Sequence, residues 1–525
     1  MIDRDQRLPA SVATLLDWPV RTFPDRTAIV HGQRRATFAE FDARVNRLAN
    51  ALLQLGLEDN ARIAALIENS PQALEVRFAL MKAGLCMVPL NTRQAAPEQA
   101  DVVNHSEATC LVVSSAWATR GRDLLPLCPR VKWVIASASL PGALDYERVL
   151  GESSDRTPER LISGDALERI AYTSGTTGTP KGVMRSFTNL MARLRNDFLN
   201  EDCVIDERDV FLNVAPLTHA ARNHVHKYYV KGATNIVMDH FDADTVLATI
   251  ERERATGIML VPTMLIRLLR HEGLDAFDTS SLRVISVGTA PVTAEVLDQA
   301  FQRFGPIVRQ TYGLTEASQP ILLMPASALT GLDPESRRRR LGSAGRPALG
   351  VEVRLVDPQG REAATGDVGE IVIRGDVVTP GYWRDPDATA EVLRDGWLYT
   401  GDVARRDEAG FVYVVDRAKD MIISGGFNVY PREVERVLET HPAVRDAAVI
   451  GVPDPEWGEK IMAFVVLKPA MTARADDLVE HCQGLIGGYK KPRVVQFVDQ
   501  LPRNLQGKIM KGELRAEAGR RGGER

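Results

Sequence analysis

Cysteine is scarce and scattered: five residues in 525, Cys86, Cys110, Cys128, Cys203 and Cys482, odd in number and with no C-x-x-C spacing. That pattern builds neither a disulfide framework nor a zinc site, and it suits a reducing compartment. Long apolar runs are missing too. No stretch approaches the roughly eighteen residues that span a bilayer, and the opening Met1-Ile2-Asp3-Arg4-Asp5-Gln6-Arg7 lacks the apolar centre of a leader. A soluble cytoplasmic protein with no integral membrane segment is expected. Basic charge is not in excess, since the net charge is −4 and the pI is near 6.2. Nucleic acid is therefore not an expected partner. No internal repeat is visible.

What is present is ordinary globular material, 44% hydrophobic and 26% charged, long enough for three or four units of about 150 residues. Phe38, Phe41, Val45, Leu48, Leu52 and Leu55 recur at steps of three and four, which predicts an amphipathic helix. Thr37 with Glu40 forms a capping box at its start, and Gly56 suits its end. An apolar strand from Ile63 to Ile67, a helix beginning near Pro71, Gly84 and a strand from Cys86 to Val88 follow as a βαβ unit. Further buried strands are predicted at Cys110–Val113, Val131–Ile135, Val210–Val214, Asn235–Met238, Ile258–Val261, Val284–Val287 and Ile307–Gln310. Parallel sheets flanked by helices are expected, with ligands at the carboxyl ends of the strands. After about Gly342 short strands alternate with turns such as Asp357-Pro358-Gln359-Gly360, predicting a small antiparallel β subdomain, and beyond Asp416 the pattern turns to mixed α+β.

The most informative stretch is Tyr172-Thr173-Ser174-Gly175-Thr176-Thr177-Gly178-Thr179-Pro180-Lys181-Gly182-Val183, which follows the strand-like Arg169-Ile170-Ala171. Hydroxyls, glycines and one lysine are wasted in a core. They suit a polyphosphate, because glycine lets backbone N–H groups approach an anion closely. The G-x-x-x-x-G-K-[ST] pattern is not met, as Lys181 is preceded by Pro180 and followed by Gly182, so a kinase or GTPase P-loop is disfavoured.

The run resembles the signature loop of the adenylate-forming superfamily, which holds acyl-CoA synthetases, luciferases and peptide-synthetase adenylation domains. Further motifs keep that family's order across essentially the full chain. They are Ala215-Pro216-Leu217-Thr218-His219, Ser286-Val287-Gly288-Thr289-Ala290-Pro291, Gln310-Thr311-Tyr312-Gly313-Leu314-Thr315-Glu316, Trp397-Leu398-Tyr399-Thr400-Gly401-Asp402, Asp416-Arg417-Ala418-Lys419-Asp420, Ser424-Gly425-Gly426-Phe427 and Leu501-Pro502-Arg503-Asn504-Leu505-Gln506-Gly507-Lys508. Phe427 departs from the glutamate common at its position in many relatives. The resemblance to the acyl-CoA synthetase branch implies an α/β fold in which a large N-terminal domain has two doubly wound βα subdomains plus a small antiparallel β subdomain. A small mobile α+β C-terminal domain completes it. The expected bounds are 1–416 for the adenylation domain (1–165 and 166–341 α/β, 342–416 β), 417–419 for the hinge and 420–525 for the C-terminal domain.

The same resemblance implies the site. Thr173, Ser174, Gly175, Thr176, Thr177, Gly178 and Lys181 would hold the β- and γ-phosphates of ATP, with Gly288, Ala290, Pro291, Tyr312 and Gly313 around adenine. Asp402 and Arg417 would take the ribose, Thr315 the α-phosphate, and Glu316 a Mg²⁺ ion. His219 would lie near the carboxylate end of the acyl pocket, Lys508 would bridge the acid and the α-phosphate, Lys419 would be the hinge, and Gly425 and Gly426 would line the path of coenzyme A. The implied reaction is ATP-dependent ligation of a carboxylic acid, medium-sized aliphatic or aromatic, to CoA through an acyl-adenylate, releasing AMP and pyrophosphate. Seventeen residues follow Lys508, leaving no room for a carrier domain, so free CoA is the expected acceptor. The alternatives are an enzyme that loads a separate carrier protein, and an inactive binding protein on the same fold; a homodimer is compatible with either. If the segment Ala221–Tyr229 is helical, Arg222 with His226, and Asn223 with Lys227, share faces at i,i+4. One such face is expected to meet either a polar group of the acid or solvent; His224 lies between them. The run Arg337-Arg338-Arg339-Arg340 reads as a solvated loop.

Overall fold

The computed structural model describes residues 12–173, 181–218, 222–288, 290, 292–417, 420–424, 427–454, 457–503 and 509–522. The chain forms two compact units, Met1–Glu352 with Arg374–Leu398, and Val353–Ile373 with Tyr399–Arg525.

The first unit is built on two open sheets. One runs, in spatial order, Leu144–Asp145, Trp133–Ala136, Cys110–Val113, Arg62–Leu66, Cys86–Pro89, Leu167–Thr173 and Lys181–Ser186. Its strands are parallel up to the last pair, which is an antiparallel hairpin. The predicted helix, Phe38–Gln54, precedes these strands in the chain and carries the reciprocal bonds of a capping box between Thr37 and Glu40. Its Phe38, Phe41, Val45, Leu48 and Leu52 are buried, and Gly56 follows in the left-handed conformation at φ +67°. The next helix, Pro71–Ala83, is capped by Ser70 and closed by Gly84.

The second sheet has nine strands, with Val308–Tyr312, Val284–Val287, Gly257–Leu260, Val210–Asn213, Thr234–Val237 and Thr27–His31 running parallel at its centre. The sheets do not divide at residue 165. Thr27–Thr37 extends the second sheet, while Leu167–Ser186 completes the first. A parallel edge accepts whichever strand satisfies its exposed N–H and C=O groups, wherever that strand lies in the chain.

The strands Val368–Arg374, Trp397–Arg406 and Val412–Arg417, which fall mostly in the second unit, lie side by side in the small sheet read from the turns, the last two antiparallel. A further sheet holds Val444–Asp454, Gly458–Leu467 and Val494–Phe497, covered by the helices Pro431–Glu439 and Ala475–Leu485. Val434, Leu438, Val449, Ile461, Leu478 and Cys482 are buried together there. Asp416 accepts a hydrogen bond from the backbone N–H of Arg432 at 2.7 Å, tying the end of the meander to the first turn of a helix. No helix among the described residues is long and apolar enough to cross a membrane.

Candidate active site

Lys181 opens the strand Lys181–Ser186 and pairs with Thr173 as the closing pair of the signature hairpin. Ser174, Gly175, Thr176, Thr177 and Gly178 lie outside the described residues. A strap from Val377 to Trp383 holds this hairpin to the turn that carries Glu316. Thr379 N–H donates to the Glu316 carbonyl (2.7 Å), and its hydroxyl donates to Met184 O (2.7 Å). Met184 N–H donates to Gly381 O (3.0 Å) and Trp383 N–H to Gly182 O (2.7 Å). The Lys181 ammonium lies 5.2 Å from the centre of the Tyr382 ring, and the Tyr382 hydroxyl donates to Glu316 Oε1 at 3.0 Å. Sequence reasoning missed Tyr382. The dipeptide Gly381-Tyr382 after a turn carries too weak a signal, and the contact spans 66 residues of chain.

At the carboxyl ends of the central strands, Gly288 and Ala290 follow Val284–Val287, while Thr289 and Pro291 lie outside the described residues. The next strand, Val308–Tyr312, runs into a turn that folds back on itself: Leu314 N–H donates to Ala317 O and Ile321 N–H to Tyr312 O, both at 3.0 Å. A Cβ on Gly313 would stand 2.5 Å from the Gln319 side chain and 3.0 Å from its backbone N, so only glycine fits. Gln319, also absent from the sequence reading, lies 3.2 Å from the Thr311 hydroxyl. This fold-back turn sets Thr315 and Glu316 at the strand end, both half-buried. One Glu316 oxygen is engaged by Tyr382. A carboxylate with such a supporting phenol is a suitable ligand for a hard cation such as Mg²⁺.

Within the second unit, Asp402 is 6% exposed, takes a bond from its own N–H to the Thr400 hydroxyl (3.1 Å), and stands opposite Arg417 in register. Gly401 N–H donates to Glu370 Oε1 at 2.8 Å, fixing the backbone just before the aspartate. The Arg417 side chain and residues Lys419, Gly425, Gly426 and Lys508 lie outside what is described, as does His219 in the first unit.

The polar helix Arg222–Tyr229 corrects an expectation. His226 is 2% exposed, accepts a hydrogen bond from Arg77 Nε (2.8 Å) and stacks on Phe78. Arg77 and Arg185 both reach Glu168, at 2.9 Å each. Lys227, 4% exposed, is paired with Glu201, which also receives Arg309. His226 and Lys227 are therefore committed to partners inside the protein; the i,i+4 spacing identified shared faces but could not say what lay against them. His224 stacks on Phe211 (5.2 Å), and burial together with the charge of Lys227 holds its imidazole well below the ordinary range. The four-arginine run is corrected as well. It lies on the helix Pro334–Leu341, where Arg337 binds Asp298 (2.7 Å) and Arg340 donates to Ala328 O.

The chain matches the AMP-binding enzyme family over residues 16–383 and the AMP-binding enzyme C-terminal domain over residues 433–508. A feruloyl-CoA synthase from Amycolatopsis sp. is 40% identical over 508 residues, 96% of this chain and 98% of that protein. Among solved structures, the amide bond synthetase McbA from Marinactinospora thermotolerans superposes with a TM-score of 0.86 at 32% identity, covering 96% of this chain and 99% of that one. ATP-bound MatB from Rhodopseudomonas palustris gives 0.85 at 31% identity, with 96% and 98% covered. The chain belongs to the AMP-binding enzyme family. Within it, this is an AMP-forming acyl-CoA synthetase that uses ATP and CoA and proceeds through an acyl-adenylate.

Proposed function

We propose that the acid is aromatic, of the feruloyl type, with a polar group on its ring. The observation that supports this is a set of buried polar atoms without partners among the described residues: Asn213 Oδ1, Asn223 Oδ1 and His224 Nδ1. Asn213, Met259, Ser286 and Arg309 are in register across four parallel strands and so share one face of the sheet. The helix Arg222–Tyr229 packs on that face through His224 and Tyr228 against Phe211. It connects two parallel neighbours, so its first turn starts at the carboxyl ends of the strands. A polar ring substituent reaching the edge of this floor would offer these side chains a partner, whereas a plain alkyl chain would not. The 40% identity to a feruloyl-CoA synthase favours the same class.

A carboxylate acylates poorly because oxide would have to leave; joining it to AMP supplies a leaving group. In this reading Lys181 grips the pyrophosphate that departs, Thr315 contacts the α-phosphate, and Tyr312 packs on adenine. Asp402 and Arg417 hold the ribose, and Lys508 neutralises charge between acid and phosphate. Glu316 would hold Mg²⁺, which supplies charge neutralisation to the polyphosphate. His219 would border the acid carboxylate, and Gly425 and Gly426 the thiol arm, admitted when the Lys419 backbone turns and Lys508 withdraws. All five cysteines are free, which suits a reducing cytoplasm.

The test is acid-dependent pyrophosphate release with ferulate, unsubstituted cinnamate and octanoate. Ferulate should exceed cinnamate by about 10-fold or more in kcat/KM, and His224→Phe should narrow that ratio. Octanoate outperforming both would overturn the reading.

A further inference from the structure

We propose that Tyr382 is a positioning residue for adenylation: its ring seats the Lys181 ammonium while its hydroxyl aims the Glu316 carboxylate. Lys181 belongs to the seven-stranded sheet, and Glu316 follows the strand Val308–Tyr312 of the nine-stranded one. Two groups that must act on one polyphosphate thus stand on separate sheets. Tyr382 touches both, with its ring centre 5.2 Å from Lys181 Nζ and its hydroxyl 3.0 Å from Glu316 Oε1.

The tyrosine is itself held rigidly. It is 8% exposed, packs with Val183 and Ala388, and pairs with Val183 as an antiparallel bridge. Its N–H donates to the Thr389 hydroxyl at 2.9 Å. The preceding Gly381 has φ +137°, and a Cβ there would fall 2.6 Å from the Thr389 side chain, so the backbone leading into Tyr382 has one accessible course. A buried phenol ordinarily finds an acceptor. Here it is the side chain proposed to carry the metal, and a bond to one carboxylate oxygen fixes the plane in which the other is presented. The aromatic face, meanwhile, attracts the ammonium without neutralising it as a carboxylate would. Lys181 keeps its full charge for phosphate.

The proposal rests on the roles given above to Lys181 and Glu316, and the test separates the two. Tyr382→Phe keeps the ring and removes the hydroxyl. In calorimetric titrations of the full chain, MgATP affinity should fall about 5- to 10-fold while affinity for ATP in EDTA stays unchanged, and KM for the acid should not move. Glu316→Gln should lower MgATP affinity by itself, and Tyr382→Phe in that background should add nothing, since a hydroxyl acting through Glu316 has no effect once the carboxylate is gone. Tyr382→Phe with unaltered MgATP affinity, or an effect that persists in Glu316→Gln, overturns the positioning role. Glu316→Gln with unaltered MgATP affinity overturns the assignment of Glu316 itself.

Discussion

Two groups of charged side chains in the first unit look alike in composition and differ in what their charges meet. Under the helix Arg222–Tyr229, cations are matched with anions already in the protein: Arg77 and Arg185 on Glu168, Lys227 and Arg309 on Glu201, Arg193 on Asp197. At the strap, Lys181 and Glu316 are each engaged by Tyr382, one by the ring and one by the hydroxyl, and neither has an ion-pair partner among the described residues. Paired charge is committed to the fold, because the cost of burying it is offset only by the partner beside it. Charge supported by a neutral ring keeps its capacity for a ligand. The distinction predicts opposite phenotypes for mutations of similar chemistry.

The largest effect should come from Glu201→Ala, which leaves Lys227 and Arg309 buried without their shared carboxylate. A loss of about 3–5 kcal/mol of stability is expected, read from urea unfolding, with activity per folded molecule close to wild type. If stability holds and activity collapses, the network belongs to the site and the comparison fails.

The strap and the C-terminal lysine should behave in the reverse way. Glu316→Gln and Lys508→Ala are each expected to slow acyl-adenylate formation by about 10²–10³ with unfolding midpoints unchanged. In Lys508→Ala, thioester formation from supplied acyl-adenylate should survive if the proposed role of the lysine is confined to forming the adenylate. Equal losses in both half-reactions would refute that division of labour.

How much of this could be read in the residues follows from the range of the interactions. Local chemistry was legible. Thr37 and Glu40 gave the start of the helix Phe38–Gln54, and the apolar runs Cys110–Val113 and Val284–Val287 are strands with those bounds. The motifs ending in Glu316 and Asp402 could also be picked out locally, since each is a short run of glycine and polar residues at or beside a strand. What the sequence hid was whatever depends on distant partners. His226 and Lys227 read as surface or substrate-facing because Arg77 and Glu201 are 149 and 26 residues away in the chain. Tyr382 was invisible for the same reason, and so was the exchange of strands between sheets.

The smallest expected effect tests the paired network through pH. Burial outweighs the attraction of Arg193 and raises the Asp197 carboxyl to about 6 from its ordinary 3.8. A raised carboxyl binds its proton more tightly in the folded than in the unfolded chain, so stability falls as pH rises from about 4 to about 6 and the penalty is complete above that window. Acidification from pH 7 to pH 5 should therefore recover stability through this group, against the general trend of acid destabilisation. Asp197→Asn removes the titration, so the wild-type minus variant difference in unfolding free energy should grow more favourable to wild type between pH 7 and pH 5. A difference that is flat across that range would mean that Arg193 holds Asp197 ionised throughout. A difference that stays flat to pH 5 and falls only below about pH 4 would make the pair a net source of stability, as fully committed to the fold as Glu201 is to Lys227 and Arg309.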